Sequence, residues 1–379
     1  MPKLLLLVIL SGCVKGGYAP APNLNFLYTS DSGTNSVSAF SVSSVGTPKE
    51  LAGSPFTLKA AGQFPYDLAV TPNTQFLYTA NYSSNNISAF AISGVNGSLT
   101  ELQNSPFSGS NTPNPIALVI DKTGSFVYVV TGANNISAFA VNQATGALTE
   151  LAQSPYTVQG VNPAPYFEII DKTNTFLYVS NSNTNTISAY TINSQTGALT
   201  LVPGSPFGLP GNYPVCLAID PSNRFLFSAD NYSNTASAFT INAATGALTA
   251  VPGSPFSTSI VNGQPYGAEV DLTGNFFYIT DFNTNQISIF KINGSSGALT
   301  QISGSPVSVH GTNPNPMGVS LDPSGNFFYA ANSNTNTIST YTLNLSSGLL
   351  SEVSGSPFIL AGSNPGPTNF QFVSIAQPR

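Results

Sequence analysis

The stretch FLYVSNSNTNTISAYTINSQTGALT (Phe176–Thr200) decides the fold, because the chain carries seven versions of it. Phe26, Phe76, Phe126, Phe176, Phe225, Phe276 and Phe327 open equivalent stretches, at steps of 50, 50, 50, 49, 51 and 51 residues. Around Phe176 the unit reads as four strands. The first, Tyr166–Ile170, is rich in β-formers and closes on Asp171-Lys172-Thr173-Asn174. The second, Phe176–Ser180, is apolar and aromatic and ends in the polar loop from Asn181 to Asn185. The third is Thr186–Ile192; a turn through Gly197 leads to the fourth, Ala198–Val202, and Gly204-Ser205-Pro206 ends the unit. No helical periodicity interrupts it. Four short strands every ~50 residues predict a propeller blade, and seven copies an all-β, seven-bladed β-propeller of four-stranded antiparallel blades.

The ends of the repeat predict closure. The first copy begins at its second strand, near Phe26, and a strand is left over after the seventh, Pro367–Val373, comparable to Pro316–Leu321. That C-terminal strand is expected to complete the N-terminal blade, which removes two exposed strand edges. Residues 24–379 then form a single propeller domain.

Composition narrows the function. Of the 379 residues 41 % are hydrophobic and only 6 % charged, so Ser, Thr, Asn and Gln must cover the surface. Nine basic residues and a net charge of −6 argue against nucleic acid, whose phosphates need clustered Lys and Arg. Met1-Pro2-Lys3, the apolar Leu4–Leu10 and Leu10-Ser11-Gly12-Cys13 read as an export signal too short to span a bilayer. The last four resemble a bacterial lipobox. Residues 1–12 are thus expected to be a lipoprotein-type signal peptide, Cys13 the lipidated residue, and 13–23 a flexible tether. An exported monomer held at the cell envelope only through that anchor is the corresponding expectation. The other cysteine, Cys216, sits in an apolar strand and reads as a buried, inert thiol.

The phrases P-x-x-[LIV]-x-[LIV]-[DT]-x-x-[GN], F-L-Y-[VT]-[AS]-[ND], N-x-I-S-A-[FY] and T-G-A-L-T resemble the seven-bladed lactonase-type propellers, relatives of YVTN-type repeat proteins. Members include 6-phosphogluconolactonases and muconate-cyclising enzymes. The resemblance covers about nine tenths of the chain and implies the fold. It also implies a lactone-opening activity at a cleft using His, Arg and acidic residues. This chain's only arginines are Arg224 and Arg379, neither expected at the channel mouth, so the cationic half of a site for anionic lactones is missing.

Residues that build the blades recur in them; residues with a function should break the pattern. Asp121, Asp171, Asp220, Asp271 and Asp322 share the turn after the first strand, and Glu50, Glu101, Glu150 and Glu352 share the outer strand. Asp31, Asp230 and Asp281 end the second strand, where Asn or Thr stands elsewhere, and are expected to accept N–H groups of the following loop. Asp67, Glu168 and Glu269 have no counterparts and fall on the first strand, which lines a propeller's channel. His310, the only histidine, lies between blades six and seven. Two function classes follow. In one, the Asn/Ser/Thr-rich loop face binds a protein or a neutral glycan, with Tyr82, Tyr232 and Phe282 as stacking rings and Asp31, Asp67, Glu168 and Asp230 as ligand contacts. In the other, Glu269, Asp281 and His310 open a lactone by acid–base catalysis at the channel mouth. No cofactor is expected; Ca²⁺ would suit the oxygen ligands, but no D-x-D-x-D-G loop supports it. One His and one mature Cys cannot build a zinc or haem site.

Overall fold

The computed structural model describes residues 25–59, 61–360 and, as backbone, 373–376. Seven antiparallel sheets stand around one axis, each running from an inner to an outer strand. In the fourth blade the order is Pro165–Ile170, Phe176–Asn181, Thr186–Ile192 and Leu199–Leu201. Consecutive inner strands pack against one another around the whole ring. The sequence misses one element, a two-residue strand such as Phe207–Gly208 that follows the Ser-Pro step and pairs with the start of the third strand.

Closure occurs as expected, in a different register. Val373–Ala376 pairs with the first strand of the chain, Leu27 opposite Ile375 and Thr29 opposite Val373. Of the span 367–373, Val373 is the residue that the structure describes, and 367–372 lie outside the described residues. The matching signal is the alternation Val373-Ser374-Ile375, which repeats Val319-Ser320-Leu321 of the seventh blade, rather than the proline. A period of two fixes which residues face the core, so it outranks a proline that begins a strand.

The phrase F-L-Y is buried, apart from a half-buried Phe327 in the seventh blade, because both faces of the second strand meet a neighbouring blade. Tyr28, Tyr78, Tyr128, Tyr178 and Tyr278 each donate a hydrogen bond to the glycine carbonyl of the next blade's T-G-A-type turn, at 2.8 to 3.0 Å. Tyr329 of the seventh blade reaches Gly46 of the first at 3.3 Å, so the staple also spans the closure. Only the fifth blade lacks it, having Phe227. Tyr178→Phe should therefore fold normally and lose about 1 kcal/mol, the net worth of one buried hydrogen bond, measured by denaturant unfolding.

The two repeated acid classes are structural. Asp171 Oδ1 accepts the N–H groups of Thr175 at 2.6 Å and Phe176 at 2.8 Å, closing the inner turn. Glu150 Oε1 accepts from Ser154, whose Oγ in turn accepts the N–H of Ala138, clasping the outer strand to the third. The Asn-rich loops are also committed. Asn35, Asn85, Asn134, Asn185, Asn234 and Asn285 adopt left-handed backbone, and each Oδ1 accepts an N–H at the start of the next blade, at 2.7 to 3.0 Å.

Candidate functional site

The inner strands begin on the upper face, the face of the Asn loops, and descend to the lower one. The residue after their first proline is Tyr66, Ile116, Tyr166, Val215, Tyr266 and Met317 in blades two to seven. Tyrosine in alternate blades brings three hydroxyls together across the channel. Tyr66 and Tyr166 are hydrogen-bonded at 3.1 Å, and Tyr166 meets Tyr266 in a second contact. Burial holds all three phenols protonated, well above the ordinary tyrosine range. The upper end of the channel is thus bridged by uncharged tyrosines.

Under that bridge lie the three acids that break the repeat. Asp67 and Glu168 line one cavity and Glu269 a second, the two sharing Phe167, Ile169 and Val319. Asp67 Oδ2 accepts the N–H of Leu118 at 3.0 Å, and burial still pushes its carboxyl up to about 7. Burial, with the neighbouring Asp67 charge second, drives Glu168 well above the usual range, and its Oε2 has no hydrogen-bond partner. Glu269 is raised to about 7 by burial, against the opposing charge of Lys172 below it. Cys216 shares this cavity, and burial pushes its thiol up to about 12, so it is no nucleophile at neutral pH. Among the described residues no three His, Cys, Asp or Glu side chains stand close enough together to hold a metal ion.

The residues considered for acid–base catalysis are kept apart. His310 is exposed and pairs with Glu352 on the outer strand of the seventh blade. Glu269 is in the channel, beneath the tyrosines. Asp281 is buried at the upper end of a second strand, where Oδ2 accepts a hydrogen bond from Ser288 at 2.7 Å. The separation has a simple cause: the connection between blades passes the outer strand, so His310 meets the outer-strand acid that recurs in four blades. Asp230 accepts from Ser228, Thr235 and Ser237, and burial raises both it and Asp281 to about 7. Asp31 is fully buried at the equivalent position, its carboxyl likewise raised. Asp230 and Asp281 are therefore held chiefly by hydroxyls of the third strand, not by loop N–H groups as expected. Cys13 and the tether lie outside the described residues.

One open pocket faces solvent at the upper mouth, over blades four to six. It measures about 320 Å³ and is lined by Tyr166, Tyr213, Tyr232, Tyr266 and Phe282, with Asn231, Gln264, Val215 and Met317 completing it. Tyr213 and Tyr232 stack at 4.0 Å between ring centroids and 18° between planes, and Tyr232 remains 62 % exposed. Of the stacking rings expected from the sequence, Tyr232 and Phe282 meet here, whereas Tyr82 packs with Phe64 and Tyr66 over the second blade. Among the described residues no charged side chain lines this pocket. Arg224 lies on the lower face, donating to Ser222 and to the carbonyl of Gly294. Tyr66, Tyr166, Tyr266 and Tyr213 are not among the residues expected from the sequence; the signal for the first three is tyrosine in alternate blades at one position of the inner strand.

A family model for lactonases with a seven-bladed β-propeller matches residues 19–112, 60–164, 168–259 and 253–361. No curated protein sequence matches the chain significantly. Among solved structures, a candidate 6-phosphogluconolactonase from Bacteroides fragilis is 18 % identical over 95 % of this chain and 100 % of its own, with a TM-score of 0.76. A similar candidate from Bacteroides uniformis is 16 % identical over 94 % and 100 %, also at 0.76. The periplasmic gluconolactonase PpgL of Pseudomonas aeruginosa is 16 % identical over 88 % and 97 %, at 0.71. At these identities the likeness to solved structures is one of fold.

Proposed function

Because the chain belongs to the seven-bladed β-propeller lactonase family, we propose that it recognises an uncharged lactone or sugar ring at the upper mouth of its channel. The observation that carries this reading is the mouth pocket, aromatic on several sides and, among the described residues, free of charged side chains. A phosphorylated or carboxylated ring would ask for Arg or Lys there, since anions are held by charge-assisted hydrogen bonds. A neutral ring asks for flat aromatic faces and a few polar groups, which Tyr232, Phe282, Asn231 and Gln264 supply. The role is binding rather than hydrolysis by Glu269, Asp281 and His310, which are in three separate places. The lactone class comes from the family and from the gluconolactonase likeness. The export signal read in Met1–Gly12 would put this site outside the cytoplasm, on a chain tethered through Cys13.

The test uses saturation-transfer NMR and calorimetry with gluconolactam, a stable ring analogue of the lactone, with glucose, and with 6-phosphogluconate as the charged comparison. Binding of a neutral ring is expected, weakened roughly five- to thirtyfold by Tyr232→Ala, the loss of one stacking face worth about 1–2 kcal/mol. Preference for the phosphorylated compound, or indifference to Tyr232→Ala, would defeat the proposal. A pH-stat run with gluconolactone separates binding from turnover.

A further inference from the structure

The lower face of the propeller is set apart by its charge, and it also exposes aliphatic side chains. It is formed by the turns from first to second strand and from third to fourth. The five aspartates in the former turns are buried as caps, so none presents its charge to solvent. The latter turns contain no acid at all. The exposed charges of these turns are Lys122, Lys172 and Arg224, on blades three to five of a chain whose net charge is −6. Around the remaining arc the same turns expose aliphatic side chains: Val45 at 64 %, Val95 at 86 %, Leu272 at 52 % and Leu345 at 37 %. The turns corresponding to Val45, Val95 and Leu345 carry Gln, Ala, Ser or Gly elsewhere, and Leu272 stands where the other blades have Pro or Lys, so all four are departures from the repeat.

The chain also enters the propeller here. Asn25 pairs with Val42, immediately before the turn that holds Val45, so the first strand begins on the lower face. In sequence it follows the apolar Leu4–Leu10 and Cys13.

We infer that the lower face docks flat on an anionic lipid bilayer. Lys122, Lys172 and Arg224 meet the headgroups, and Val45, Val95, Leu272 and Leu345 enter the interfacial layer beside the chain's point of entry. Cations near a bilayer surface attract acidic lipids individually and additively, and short aliphatic side chains add apolar burial at the same depth. A protein partner of this face would need acidic and apolar patches at matching separations; a bilayer offers both everywhere. The docking holds the upper mouth away from the membrane, open to soluble ligands. It stands independently of what the mouth binds.

The test is flotation of the full chain, carrying Cys13→Ala so that no acyl chain contributes, with vesicles of 70 % phosphatidylcholine and 30 % phosphatidylglycerol or of phosphatidylcholine alone. Binding to the acidic vesicles is expected, lost in high salt, and weakened about fivefold for each of Lys122→Gln and Arg224→Gln. Val45→Asp with Val95→Asp should weaken it as well, whereas Val161→Asp with Val261→Asp, on the upper connections, should leave it unchanged. Unaltered thermal unfolding verifies that the variants are folded. Equal binding to both vesicles, no binding to either, or full binding by the charge variants (the result if the N-terminal segment alone were responsible) would overturn the inference.

Discussion

Gly197→Ala is expected to destabilise the propeller by about 3–5 kcal/mol, the sum of left-handed strain and an overpacked contact. Gly197 has φ +71°, and a Cβ there would lie 2.4 Å from the Phe126 ring of the preceding blade. The same collision recurs at Gly97 with Phe26, at Gly246 with Phe176 and at Gly348 with Phe276. Neither partner has room to yield: Phe126 is buried, and Tyr128 two residues on holds the carbonyl of Gly197 at 2.9 Å. The control is Gly94→Ala, where a Cβ would meet nothing within 4 Å; that change should be neutral. Denaturant unfolding of both variants decides it, and equal midpoints for Gly197→Ala and Gly94→Ala would show that the glycine–phenylalanine contact is not what joins the blades.

That contact also explains what the sequence could reveal. F-L-Y and G-A-L-T are far apart within a unit, yet each Phe, and in six blades the Tyr, serves the glycine of the next unit, so both recur around the ring. Residues that exist to satisfy a neighbouring copy are legible from one sequence, and blade number, strand order and closure followed from them. The closing register was less legible, because three residues, Val373-Ser374-Ile375, carry it and a nearby proline matches the wrong position. The site was harder still. Asp67, Glu168 and Glu269 were identified as exceptions and do line the channel, but they lie beneath tyrosines whose meeting depends on the ring's diameter. His310 was also an exception, and its proximity in sequence to blade six did not translate into proximity to Glu269. The radial distance from channel to outer strand separates them, and nothing in a linear repeat encodes radius. In the Asn loops, six Asn side chains are used in holding the next blade, which leaves Tyr232, Phe282 and Asn231 of the same face to line the mouth pocket.

The repeat also indicates how the protein can be stabilised. Asp281→Asn is expected to raise stability at pH 8 by up to about 4 kcal/mol, at about 1.4 kcal/mol per pKa unit, and to change it little at pH 4. Asp281 is fully buried, its Oδ1 has no hydrogen-bond partner, and burial lifts its carboxyl from an ordinary 3.8 to about 7. A carboxyl that holds its proton more tightly folded than unfolded costs nothing below the unfolded value. The cost grows as pH rises from about 4, because unfolding then releases the proton, and it levels off above about 7. An amide never ionises, so the variant escapes that cost across the same window. The replacement already exists in the ring: Asn332 stands at this position in the next blade and donates to Ser339 and Thr337 at 2.9 Å. The introduced amide would donate likewise to Ser288, whose hydroxyl need only turn from donor to acceptor. Asp230→Asn should gain less, since three hydroxyls already donate to that carboxylate. Thermal unfolding of both variants and the parent from pH 4 to pH 8 reads the effect; a gain for Asp281→Asn that does not grow with pH would mean the carboxyl is ionised and solvated at little cost in the folded ring.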